Sequence, residues 1–140
     1  MDFDARALAA AAVAARSNSY SPYSGFAVGA ALLCANGAVY TGCNVENAAY
    51  SVTNCAERTA LFAAVNAGQR TFVALAVAGG PAAQQPPLPA CPPCGVCRQA
   101  LYEFTGPGLP VVLAQTETDY TITTLGALLP QGFGPANLSE

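Results

Sequence analysis

Residues 26–43 read FAVGAALLCANGAVYTGC. Two apolar runs, Phe26–Cys34 and Ala38–Cys43, flank Ala35-Asn36-Gly37, and Asn-Gly between such runs is the strongest short-range sign of a β-hairpin. Downstream, Asn44–Asn54 is polar and irregular. Cys55–Asn66 then predicts a helix closed by Gly68, the usual left-handed stop. Thr71–Ala78 (TFVALAVA) is apolar without alternation, as in a strand covered on both faces. Gly79–Pro93 is a Pro-, Gly- and Gln-rich loop, and a third helix, Cys94–Phe104, follows Pro92-Pro93. Val111–Ala114 and Tyr120–Thr123 are two further strands, with a helical turn from Thr124. Upstream, Asp4–Arg16 is a first helix, broken by the turn formers of residues 17–25. The order is helix, two strands, helix, strand, helix, two strands. It predicts an α/β fold, a three-layer α/β/α sandwich with a mixed five-stranded sheet, in one domain covering residues 1–140.

Composition narrows the function. Hydrophobic residues make up 53% of the chain and charged residues 9%, which excludes disorder and points to a surface partly covered by further copies of the chain. The net charge is −3, and all five basic residues are arginines (Arg6, Arg16, Arg58, Arg70, Arg98), too few for a phosphate-tracking surface. Nucleic acid is not an expected partner, nor is a membrane, since no apolar run has spanning length. Ala7–Ala15 has the look of an export signal, but Asp2 and Asp4 give its leading end the wrong charge. Acids in a first turn and Arg16 in a last turn suit a helix dipole instead. The expected location is the cytoplasm, where six cysteines argue for metal or catalysis rather than disulfides.

The cysteines carry the chemistry. Cys94 and Cys97 open a helix three residues apart and so emerge on one face, as a redox dithiol or half of a metal site. A zinc site needs further donors, and with no histidine in the chain cysteine has to supply them. Cys55, which also opens a helix, is the candidate. Three thiolates converging there would leave the fourth position of a zinc ion to water. Cys91 could close the site as a fourth ligand, but Pro92-Pro93 stiffens the chain and directs it away. Cys34 and Cys43 fall in strands and read as buried thiols. Three thiolates overcompensate a divalent cation, and two helix N-termini together with Arg58 and Arg98 would offset the excess. Asn54-x-x-Glu57 matches a capping box. Beside a metal ligand, however, Glu57 suits a proton shuttle better.

Cys55-Ala56-Glu57-Arg58 with Pro93-Cys94-Gly95-Val96-Cys97-Arg98-Gln99 resembles the zinc-dependent cytidine deaminases in their small three-cysteine form, within the general zinc-deaminase signature. The likeness extends to Tyr20–Leu32, to Gly42–Ser51 (GCNVENAAYS), and to Leu128-Leu129-Pro130 with Phe133. It implies one Zn²⁺ per chain on Cys55, Cys94 and Cys97. Glu57 would take a proton from the zinc-bound water, protonate ring nitrogen 3 and then the departing amine of cytidine or 2′-deoxycytidine. Asn44 and Glu46 would hold the ribose, Phe26 would pack on the pyrimidine, and backbone near Ala56 would meet the base edge. Tyr50 and Phe133 would act in a neighbouring subunit of a homotetramer with shared active sites. The chain departs from the family in Cys91, in the doubled proline and in a longer Ala82–Pro93 loop. Two other functions fit the residues: a deaminase of a modified cytosine nucleoside, such as a nucleoside antibiotic, and a non-catalytic zinc-stabilised interaction module.

Overall fold

β3 (Phe72–Pro81) is the middle strand of the sheet, and its residues alternate between two cores. In a computed structural model, which describes residues 2–139, Leu75 and Val77 belong to one core while Ala74, Ala76 and Ala78 belong to the other. All five are fully buried, which is why the strand reads as an unbroken apolar run. β1 (Phe26–Cys34) pairs with it antiparallel, from Phe26 opposite Pro81 to Cys34 opposite Phe72. β2 (Val39–Cys43) returns antiparallel beside β1 through the Asn36-Gly37 turn, where Gly37 takes φ +91°. β4 (Pro110–Ala114) runs parallel to β3, and β5 (Tyr120–Thr124) antiparallel to β4. The sheet is therefore mixed, with strand order β2-β1-β3-β4-β5.

Helices cover both faces. α1 (Ala5–Ala15) lays Leu8, Ala9 and Ala12 on Ala31, Ala74 and Ala76. On the opposite face, α2 (Ala56–Asn66) and α3 (Gly95–Thr105) pack Ala60, Leu61 and Leu101 on Leu32, Leu75 and Val77. The three-layer sandwich expected from the sequence is the fold. Small residues set how closely the layers approach. A Cβ on Gly29 would lie 2.1 Å from Ala12 O, and one on Gly42 would lie 2.5 Å from both Ala56 O and Ala60 N. The alanine content thus reflects thin layers, with α1 and α2 seated directly on the strands.

Several local expectations change. Gly79–Pro81 continue β3 rather than opening the loop, because Val28, Ala27 and Phe26 are there to pair with them. Asp4 is the N-cap of α1 and accepts from Ala7 N. Arg16 lies beyond the last turn of α1 and is buried. Its guanidinium donates to Ala27 O, Gly80 O, Pro81 O and Gln84 O, so it straps the proline-rich loop to the sheet instead of serving a helix dipole. The turn at Thr124 is α4 (Leu125–Leu128), and a further short helix, α5 (Pro135–Leu138), had no advance signal. Among the described residues no helix is long and apolar enough to cross a membrane.

The contact at Gly42 can be tested. Gly42→Ala should destabilise the protein by about 1–3 kcal/mol in denaturant unfolding, because backbone rather than a flexible side chain has to yield. Gly108→Ala, where a Cβ meets nothing within 4 Å, should stay within about 0.5 kcal/mol.

Candidate active site

Two helices begin at the same place. Cys55 is the N-cap of α2 and Cys94 the N-cap of α3, both in extended conformation and with no side-chain cap bond. Cys97 is buried in the first turn of α3. The Cys55 and Cys94 sulfurs are 3.7 Å apart and those of Cys94 and Cys97 3.5 Å, and all three lie within 4.8 Å of one another. Tetrahedral zinc with Zn–S bonds of about 2.3 Å sets its sulfurs about 3.8 Å apart, so the spacing suits that ion. Two helix N-termini direct partial positive charge at the cluster.

The charge on the sulfurs is unevenly shared. Interaction with the Cys97 thiol, aided by Arg58 and opposed by burial, pulls Cys55 down to about 5, while Cys97 is pushed well above the usual thiol range. Arg58 Nη2 donates to Cys55 Sγ at 3.4 Å. Burial works against the guanidinium charge, but bonds to Cys55 and Cys97 outweigh it and raise the Arg58 pKa. Its Nε is buried without a partner among the described residues. Arg98, in contrast, donates to Pro93 O and Leu128 O and does not serve the sulfurs as the sequence suggested. The carbonyls ahead of Cys94 and at the end of α4 are nearer claims on its planar fork.

Glu57 is 3% exposed on the first turn of α2. The helix cap is Cys55 and makes no side-chain bond, while the Asn54 amide donates to Thr59 Oγ1, so no capping box forms. Burial first, then the Cys55 charge, pushes the Glu57 carboxyl up to about 7. It faces a cavity of about 310 Å³ that Phe26, Asn44, Cys55, Ala56 and Cys94 also line. Cys91 lines the cavity too but packs over Gly79, where a Cβ would come within 2.6 Å of its sulfur, and is not part of the three-sulfur group. Burial, with the Glu57 charge, raises its thiol to about 11.

The remaining residues singled out in the sequence take distinct places. Phe26 is 37% exposed at the cavity wall rather than in the core. Asn44 braces β1: its Oδ1 accepts from Ser19 Oγ and Val28 N, and its Nδ2 donates to Phe26 O. Glu46 accepts from Tyr23 N, Ser24 N and Ser24 Oγ, and the Ser24 bonds hold its carboxyl below the usual range. That clasp by Ser24 was not read from the sequence, where the serine is one of several turn formers. The Tyr50 ring is tilted against that of Tyr23, with centroids 5.7 Å apart, in an adjoining recess of about 340 Å³ that shares Ser24, Glu46 and Thr53 with the cavity. Phe133 lies away from the cavity, exposed beside Gln99 and Glu103.

Comparison with known proteins agrees with this geometry. The cytidine and deoxycytidylate deaminase zinc-binding region matches residues 2–113. A cytidine deaminase of Sporosarcina psychrophila is 48% identical, over 97% of this chain and 96% of its own length. One from Mycobacterium tuberculosis is 40% identical, over 95% and 92%. The crystal structure of cytidine deaminase from Burkholderia pseudomallei superposes with a TM-score of 0.83 at 48% identity, covering 94% of this chain and all of that one. The chain belongs to the zinc-binding cytidine and deoxycytidylate deaminase family, and its three sulfurs are a donor set suited to one zinc ion.

Two predictions follow from the cluster. Cys91→Ser should keep one zinc per chain by elemental analysis, whereas Cys94→Ser or Cys97→Ser should lose it; a metal-free Cys91→Ser would make Cys91 a ligand. Arg58→Ala should bind zinc about 10–100-fold more weakly in chelator competition, the usual cost of losing a partner to a metal ligand. Arg58→Lys should fall between, since an ammonium lacks the fork. Equal affinities would mean that the sulfur charge is balanced elsewhere.

Proposed function

We propose that the protein is a cytidine deaminase, which converts cytidine or 2′-deoxycytidine and water to uridine or 2′-deoxyuridine and ammonia. The observation that carries this is Glu57: a buried carboxyl, raised towards neutrality, on the same helix turn as the sulfur cluster and facing a nucleoside-sized cavity. Zinc held by Cys55, Cys94 and Cys97 supplies a Lewis acid that makes water a nucleophile near neutral pH.

Glu57 does the proton work. As carboxylate it accepts the proton that the attacking water releases, and as carboxylic acid it donates to ring nitrogen 3. Again a carboxylate, it then takes the proton of the new hydroxyl on carbon 4 and passes it to the amine as the carbon–nitrogen bond breaks, leaving a carbonyl and ammonia. Burial, which moves the carboxyl above its usual range, suits a group that must act in both forms near neutral pH. Phe26 packs on the pyrimidine and the backbone near Ala56 meets the base edge. Asn44 and Glu46, pre-set by their bonds to β1 and to Ser24, receive the ribose, and polar groups built for a sugar discriminate against a free base.

The exposed Tyr50 and Phe133 support a homotetramer in which each chain completes a neighbour's site. We read the chain as a single deaminase domain working in pyrimidine salvage in the cytoplasm. The net charge of −3 and the five arginines give no surface for nucleic acid.

Loss of ultraviolet absorbance on cytidine tests the reading. The zinc-loaded protein should turn over cytidine, lose activity to a chelator, recover with zinc and leave cytosine nearly untouched. Glu57→Gln should retain zinc and lose about 10²–10⁴-fold in kcat. Release of ammonia from cytosine, but not from cytidine, would contradict the assignment, as would a Glu57→Gln protein with wild-type turnover.

A further inference from the structure

α3 does more than carry Cys94 and Cys97. Arg98 follows Cys97 directly, yet its guanidinium turns from the sulfurs and donates through Nε to Pro93 O and through Nη1 to Leu128 O, both at 2.6 Å. Pro93 is fully buried and immediately precedes the N-cap Cys94. Leu128 ends α4, so its carbonyl lacks a partner within that helix. One planar fork thus fixes the backbone ahead of the sulfur pair and the backbone of the C-terminal turn together.

The same helix also seats the chain beyond that turn. Gln99 Nε2 donates to Phe133 O at 2.8 Å. The Tyr102 ring fills the space beside Gly132 and Gly134, where a Cβ would approach it to 3.0 and 2.6 Å. Tyr102 is four residues from Arg98 and so shares its side of α3.

We propose that Arg98 is a positioning residue that makes the loop 91–97 and the C-terminal segment 128–138 one unit, so that zinc occupancy and the seating of Phe133 depend on each other. The proposal rests on Cys94 and Cys97 being zinc ligands. Zinc on those sulfurs holds Pro93 O where Arg98 needs its acceptor. The docked C-terminal turn, by holding Arg98, keeps the start of α3 in the ligating arrangement. Coupling of this kind is reciprocal: whatever zinc adds to the order of the segment, the segment returns in zinc affinity.

Amide hydrogen exchange and zinc competition with a chromophoric chelator test it on the full chain. Stripping zinc from the wild type should speed exchange over 128–138 as well as over 91–97, while the central strand β3 stays protected. Arg98→Met should bind zinc about 10–100-fold more weakly and exchange faster over 128–138 even at saturating zinc. Arg98→Lys, which keeps the stem and the charge, should fall between, and it decides the matter if Arg98→Met does not fold. Exchange over 128–138 that ignores zinc, or wild-type zinc affinity in the Arg98 variants, would overturn the coupling. Undiminished zinc binding by Cys94→Ser would overturn the ligand reading, and the proposal with it.

Discussion

Like charges repel, and the crowding of three cysteine sulfurs within 4.8 Å of one another is the constraint around which the fold is arranged. Thiolates can share so small a space only where positive charge meets them. The chain supplies it from three directions: the N-terminus of α2, the N-terminus of α3 and the Arg58 guanidinium. Both helices must therefore begin at one point on the same face of the sheet. That requirement explains the close seat of α2 on Gly42, since a side chain there would lift Cys55, Glu57 and Arg58 together.

Three of the five arginines are engaged within the molecule, while Arg6 and Arg70 are exposed. Arg58 answers the sulfurs, Arg98 joins Pro93 O to Leu128 O, and Arg16 gathers four carbonyls from β1, β3 and the proline-rich loop. A guanidinium fork can satisfy several carbonyls at once, which an ammonium cannot, and this gives a physical reason for a chain with arginine and no lysine at these points. Glu57 belongs to the same economy of charge. Burial beside negative sulfur favours the protonated form of its carboxyl.

Much of this is legible in the sequence. The Asn36-Gly37 hairpin, the two-faced strand read at 71–78 and the helices opening at Cys55 and Cys94 all follow from local rules, because each depends on neighbours in sequence. Local rules make Gly79–Pro81 a loop, because glycine and proline are poor strand formers. Only the antiparallel partner Phe26–Val28 makes them a strand. The Arg98 error has the same origin. Proximity to Cys97 in sequence suggested a thiolate partner, while the carbonyl of Leu128 thirty residues away takes the bond. At Glu57 the sequence carries a capping-box pattern but favours a proton shuttle beside a metal ligand, and the structure forms no capping box. Ser24 and the strap made by Arg16 left no periodic or compositional trace, since their partners are backbone atoms or a carboxylate distant in sequence.

The most direct measurement is X-ray absorption at the zinc edge on the purified protein. Three sulfurs at about 2.3 Å and one oxygen at about 2.0 Å are the expected shell, with the oxygen being the solvent that the chemistry requires. Four sulfurs would bring Cys91 into the site and close it to water, which would contradict both the ligand set and the catalytic reading.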